Sequence, residues 1–103
     1  MKWVKSNSAT CCLVTVMGDA DVTSYRALLA LEEDVRDFPY LVLDVAEMDF
    51  ADTTFLRFLM RVLTYARERS GGSLHLVGVN RHLQRVLEVT GLSRKVTYES
   101  TVK

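Results

Sequence analysis

Proline occurs once in this 103-residue chain, at Pro39; tryptophan is as scarce, at one, and cysteine nearly so, at two. A single proline leaves no proline-rich linker or recognition segment. Two cysteines do not make a disulfide scaffold. Cys11 and Cys12 are also adjacent, so in a strand they point to opposite faces and do not bridge. No Cys-x-x-Cys or Cys/His spacing of a metal site is present. The pair reads as free thiols of a reducing compartment, which makes the cytoplasm the expected setting. Net charge is lacking too: thirteen Lys and Arg balance thirteen Asp and Glu. That balance excludes the general basic excess of a nucleic-acid binder. No apolar run approaches the roughly 18 residues of a membrane span. The opening MKWVKSNSAT carries no apolar stretch before a small-residue cleavage site, so no secretory signal is expected.

What remains is 49% apolar and 25% charged, the composition of one ordinary domain with one core, over residues 1–103. Thr10 to Met17 is β-branched and apolar and ends at Gly18, which predicts a strand. Trp3 to Lys5 suits an edge strand before it. Asp21 or Thr23 caps a helix to about Val35 or Arg36, with Tyr25, Leu28, Leu29, Leu31 and Val35 recurring at helical spacing. After Pro39, Tyr40 to Val45 is an almost continuous apolar run, the mark of a strand covered on both faces. Ala46 to Asp52 reads as a polar loop, Thr53 to about Arg69 as the longest helix, and Ser73 to Val77 as a strand. Asn80 then caps a helix over Arg81 to Val89, and Lys95 to Tyr98 forms a last short strand. The order β-β-α-β-α-β-α-β predicts an α/β domain with a mixed, mainly parallel sheet packed by helices.

The densest functional candidate runs from Asp44 to Thr54, between the end of a central strand and the start of the longest helix. Ligands and partners of open α/β sheets gather at such carboxyl ends of strands. Asp52, Thr53 and Thr54 supply helix-capping groups, and a hydroxyl in a first helical turn is also a phosphoryl acceptor. Asp44, Asp49 and Asp52 form an alternative Mg²⁺ set, but no lysine or second phosphate-binding element completes a phosphoryl-transfer site. His75 and His82 fall on different elements without a nucleophile. No catalytic residue, metal or cofactor is therefore expected. The helix from Thr53 has an apolar arc wider than one sheet demands. Phe55, Leu59, Val62 and Ala66 form its centre, Phe58 and Tyr65 one flank, and Leu56, Met60 and Leu63 the other. Its flank with Met60 and Arg57 is offered to a partner or to a second copy in a homodimer.

The stretch Leu41-Val42-Leu43-Asp44, followed by Met48-Asp49-Phe50-Ala51-Asp52-Thr53-Thr54-Phe55-Leu56, resembles the central motif of the anti-sigma-factor antagonist and sulfate-transporter (STAS) domain. Gly18-Asp19-Ala20-Asp21 resembles the turn after that family's second strand. Gly71-Gly72 with the strand to Val77, and Val86 to Leu92 with its Thr90-Gly91-Leu92 ending, resemble its later segments. The pieces stand in the family's order over nearly the whole chain.

This resemblance implies a STAS-like fold and a binding module, not an enzyme. The implied role is that of an anti-sigma-factor antagonist whose partner is an anti-sigma factor or a serine/threonine protein kinase of the anti-sigma type. Thr53 takes the place of the phosphorylated hydroxyl, Asp52 the carboxylate before it, and Asp21 the other partner-facing carboxylate. Thr54, Phe55, Leu56, Arg57 and Met60 continue the expected partner surface. Two positions depart from the family pattern: the acceptor is Thr where Ser is usual, and Phe55 stands where the motif has Gly. Either the partner differs, or Phe55 is itself a contact, or switching is lost. The alternative role is a constitutive STAS scaffold or transport-complex subunit. The zero net charge also conceals a segregation. Residues 19–52 hold ten acidic and two basic side chains, and residues 53–103 nine basic and three acidic. Such asymmetry suits the steering of a protein partner.

Overall fold

The computed structural model describes residues 1–68 and 71–99. In chain order it has β1 (Lys2–Asn7), β2 (Cys11–Ala20), a 3₁₀ turn (Val22–Ser24), α1 (Tyr25–Val35), β3 (Tyr40–Ala51) and α2 (Thr53–Arg67). Then come β4 (Ser73–Val77), α3 (Arg81–Val89), a second 3₁₀ turn (Leu92–Arg94) and β5 (Thr97–Glu99). The strands form one sheet in the order β1-β2-β3-β4-β5. β1 is antiparallel to β2, and every later pairing is parallel. The expected α/β order with a mixed, mainly parallel sheet is therefore the one observed.

Each parallel strand lies beside its predecessor, and crossovers of one hand bring α1, α2 and α3 onto the same face, where their buried residues share one core. The register explains which side chains they cover. Cys12 pairs with Leu41 and Leu41 with Leu74; Val14 pairs with Leu43 and Leu43 with Leu76. These residues share one face and are buried beneath Leu28, Leu31 and Val35 of α1, Phe55, Leu59 and Val62 of α2, and Leu83 and Leu87 of α3. Trp3, opposite Val16, packs partly against the same core. The other face, with Leu13, Thr15, Val42 and His75, is half-buried, because no described helix lies over it. Cys12 is buried and Cys11 half-buried on opposite faces, both as free thiols. Among the described residues no helix is long and apolar enough to cross a membrane.

Four sequence expectations are corrected. β2 does not stop at Gly18, and residues 46–51 are strand, not loop. The two strands run on together past the end of β4, with Met17 paired to Glu47, Gly18 to Met48, Asp19 to Phe50 and Ala20 to Ala51. Register shifts between Thr15 and Met17, and between Gly18 and Asp19, absorb the extra residues of β3. Gly18 adopts φ +83°, which lets the chain turn through the bulge without ending the ladder. The ribbon projects beyond β4, so water reaches it and its polar composition imitates a loop. The third correction concerns α1, whose Leu28, Leu31 and Val35 are buried while Tyr25 and Leu29 are exposed. Their place on the inner face is taken by Glu32. On α2 the expected centre and Phe58 are buried, as is Leu63, and of the wide arc Met60 alone is exposed. The last strand covers Thr97–Glu99, starting later than the sequence pattern suggested.

Candidate functional site

The projecting ribbon of β2 and β3 delivers Asp21 and Asp52 side by side, each opening a helical segment. Asp21 caps the first 3₁₀ turn: its Oδ1 accepts from the Thr23 amide at 3.0 Å and from the Thr23 hydroxyl. The Thr23 hydroxyl bond chiefly holds the Asp21 carboxyl below its ordinary pKa, against a smaller upward push from desolvation. The Thr23 amide and the chain's amino terminus act in the same lowering direction.

Asp52 does more than cap its own helix. Its Oδ1 accepts from the Thr54 amide at 2.7 Å, while Oδ2 accepts from the Val22 amide at 3.2 Å, thirty residues away. Its backbone carbonyl takes the amides of Phe55 and Leu56, at 3.1 and 3.2 Å. One residue therefore satisfies the first donors of α2 and ties that helix to the segment leading into α1.

Thr53 occupies the first helical position after Asp52 and is exposed. Among the described residues nothing hydrogen-bonds its hydroxyl. Thr54 is half-buried, Leu56 half-buried, and Arg57 exposed. Met60 is 54% exposed. Phe55 is the exception: it is 0% exposed and stacks on Phe58 at 5.9 Å between ring centroids. The expectation that Phe55 is itself a partner contact is corrected. Two residues after Thr53, its side chain points to the opposite side of α2 and fills the core, leaving the outer surface clear.

Sequence reasoning missed three exposed apolar residues of this surface: Val22 (69% exposed), Tyr25 (52%) and Phe50 (50%). Val22 and Tyr25, with Thr54, Arg57 and Arg61, line a groove of about 140 Å³ along the seam of α1 and α2. Phe50 lies in a second groove of about 170 Å³ with Leu56 of α2, Asn80 that caps α3, and His82 and Val86 of α3. The signal for Tyr25 was available, because a tyrosine at the edge of a helical stripe beside a capping segment is often only half covered. Phe50 was concealed by the loop reading of residues 46–52.

Beneath the surface, Glu32 of α1 is 7% exposed and is bound by Arg61 Nε and by the Tyr65 hydroxyl at 2.7 Å. Burial pushes the Glu32 carboxyl up. The bonds from Arg61 and Tyr65, with the charges of Arg61 and Arg36, outweigh it and hold the pKa below its ordinary value. Tyr65 is pushed up, first by its bond to Glu32. Its ring also carries the Arg36 guanidinium at 4.9 Å. This network fixes the distance between α1 and α2, and so the shape of the groove above it. Asp44, Asp49 and Asp52 do not assemble. Asp44 turns back to the Ala46 amide at 3.1 Å, Asp52 binds the two amides, and no group of three metal-ligating side chains occurs among the described residues.

A mainly parallel five-stranded sheet with its helices gathered on one core, and an exposed hydroxyl behind a capping aspartate, defines a class of small α/β domain. The family model described as "Mlab, STAS domain" matches residues 3–98. The chain belongs to the STAS domain family. No curated protein matches it. Among solved structures it is similar to a putative anti-sigma factor antagonist from Thermotoga maritima, with TM-score 0.85 and 17% identity over 97% of this chain and 87% of that one. It is also similar to unphosphorylated SpoIIAA, an anti-sigma factor antagonist, with TM-score 0.79 and 8% identity over 98% and 90%. The STAS domain of a SulP transporter from Vibrio cholerae follows at TM-score 0.61 and 16% identity, over 91% and 77%. SpoIIAA, named a Bacillus cell fate determinant, keeps this fold in a phosphorylated form as well.

Proposed function

We propose that this chain is an anti-sigma-factor antagonist, a partner-switching module that binds an anti-sigma factor or its serine/threonine kinase and is controlled by phosphorylation of Thr53. The observation that carries this reading is the exposed, unbonded Thr53 hydroxyl beside Asp52, at the rim of a surface with Val22, Tyr25, Arg57 and Met60. Asp21, Asp52, Thr54, Leu56, Arg57 and Met60 form the partner-facing set. The likeness to an antagonist that exists in phosphorylated and unphosphorylated forms supports the same reading. In the switching step the γ-phosphoryl of ATP passes to Thr53 Oγ1, ADP leaves, and the hydroxyl proton goes to a base of the kinase. The chain itself binds and is modified. With Cys11 and Cys12 reduced, the setting belongs to the cytoplasm.

The modification adds about −1.5 to −2 charges. At a closed interface near Asp52, Asp21 and Asp49, the desolvation of that charge and like-charge repulsion cost several kcal/mol unless the partner supplies a counter-ion. Thr53→Asp is therefore expected to weaken partner binding in a calorimetric titration, while Thr53→Ala keeps it. Intact mass after incubation with ATP and the candidate kinase gains one phosphate, mapped to Thr53. Wild-type binding by both variants refutes the switch.

The constitutive scaffold or transport-complex subunit is a second reading, favoured by Phe55 at the motif's glycine and by the likeness to a transporter STAS domain. Its mark is stable co-purification with a partner that no Thr53 variant disturbs.

A further inference from the structure

Phosphorylation of Thr53 needs a resting place for the added charge, and the first turn of α2 does not provide one. Asp52 already holds the amides of Thr54, Phe55 and Leu56 through its side chain and its carbonyl. The usual attraction of a helix start for a phosphate, through unsatisfied N–H groups, is therefore largely spent. Acidic groups surround the position: Asp52 precedes it, Asp21 opens the neighbouring 3₁₀ turn, and Asp49 sits on the ribbon.

Two arginines lie on the same side of α2. Arg61 is committed to the buried Glu32 carboxylate. Arg57 is exposed and, among the described residues, makes no hydrogen bond or ion pair. It stands four residues after Thr53, a spacing that brings Cβ atoms to about 5–6 Å on a helix surface. Long helical side chains lean toward the preceding turn, which puts Thr53 within reach of Arg57, and Arg57 shares its groove with Thr54. The order, anion first and cation four residues later, is also the favourable one for such pairs.

Resting on the reading of Thr53 as a phosphoacceptor, the geometry points to Arg57 as the internal counter-ion of the phosphorylated Thr53 side chain. The guanidinium takes two phosphate oxygens through its paired N–H groups, an arrangement lysine does not reproduce. Arg57 lines the groove with Val22, Tyr25 and Thr54, whereas Thr53 does not, so pairing draws the guanidinium out of that groove toward the rim. Modification thus adds charge at the rim and withdraws Arg57 from the groove at once, and both effects act against the same partner. In the unmodified chain Arg57 is free to meet that partner.

The test installs phosphothreonine at position 53 of the full chain by semisynthesis, so no kinase enters the measurement. The phosphate is titrated by ³¹P NMR in the otherwise wild-type chain and in Arg57→Gln, Arg57→Lys and Arg85→Gln. Asp52, Asp21, Asp49, Tyr25 and Arg61 are common to all four chains, so their fields cancel in the comparison. The second phosphate pKa is expected to be lower in the otherwise wild-type chain than in Arg57→Gln by about 0.3–0.5 pH unit at low salt, the gap closing in concentrated salt. Arg57→Lys recovers part of it, and Arg85→Gln, on α3, follows the wild-type chain. Superimposable titrations of wild type and Arg57→Gln, or an equal effect of Arg85→Gln, overturn the pairing. A clear gap in a chain that no candidate kinase modifies upholds the pair and overturns only the phosphoacceptor reading. A modified chain without the gap does the reverse.

Discussion

Replacing Asp52 in two ways separates its structural work from its place in the partner surface. The carboxylate gives one oxygen to the Thr54 amide and the other to the Val22 amide. Asp52→Ala removes both acceptors. Loss of the helix cap costs about 1 kcal/mol, and loss of the second, exposed bond about 0.5–1 kcal/mol more. The expected destabilisation is about 1.5–2 kcal/mol. Asp52→Asn keeps a carbonyl oxygen for Thr54, where Asn caps as well as Asp. The new side-chain amide nitrogen, however, meets the Val22 N–H donor to donor. Asp52→Asn should therefore lose only the Val22 bond, about 0.5–1 kcal/mol. In a domain of this size 1 kcal/mol moves Tm by about 4–8 °C, so the two variants separate clearly in urea or thermal unfolding. Hydrogen exchange gives the local signature: in Asp52→Asn the Val22 amide exchanges faster while Thr54 stays protected, and in Asp52→Ala both accelerate. Equal stability of the two variants, or unchanged exchange at Val22, refutes the bridging role. Asp52 would then be a carboxylate reserved for the partner.

Glu32→Ala should destabilise the fold by about 1–3 kcal/mol in chemical denaturation, because Arg61 and Tyr65 lose their acceptor while Arg61 keeps some access to water. The folded Glu32 pKa lies below its ordinary value of 4.5, so its contribution is complete above that value and is lost as pH falls through the folded pKa. Acid unfolding of Glu32→Gln should accordingly show a shallower stability loss below about pH 4.5, and an unchanged acid limb refutes the assignment. Phe55→Gly, which restores the family's motif glycine, should cost about 4–6 kcal/mol, the sum of a core cavity and a helical glycine. Circular dichroism should show a collapsed or missing thermal transition, and a near-wild-type melt refutes the core assignment of Phe55.

The sheet and its helices were legible because their signals are local and periodic. Leu41 to Val45 is an almost uninterrupted apolar run, and Asn80 announces α3 by capping the Leu83 amide. The ribbon was not legible, because its residues pair only with each other beyond β4 and carry the polar side chains of a wet surface. Glu32 was hidden for the opposite reason. A carboxylate inside an apolar helix face makes sense only once Arg61 and Tyr65, 29 and 33 residues later, are brought to it. At the site, the motif located Asp52 and Thr53, but the second bond of Asp52 to Val22 is a product of tertiary pairing. Phe55 carried two readings: helical spacing placed it correctly at the centre of the buried arc, while the motif position, which says nothing of the way a helix turns a residue, suggested a partner contact.

The unequal lengths of the strand pairings have a consequence for where the molecule opens. β2 and β3 are joined from Cys11 to Ala20, whereas β5 meets β4 only from Thr97 to Glu99. Partial unfolding is therefore expected to start at the short β4–β5 pairing and to leave the inner β2–β3 ladder until later, since the cost of opening rises with the ladder that must break. Asp21 and Asp52 stand where the longest ladder ends, tied by the Asp52 amide to the Ala20 carbonyl, so opening at the opposite edge leaves the two strands that carry them paired.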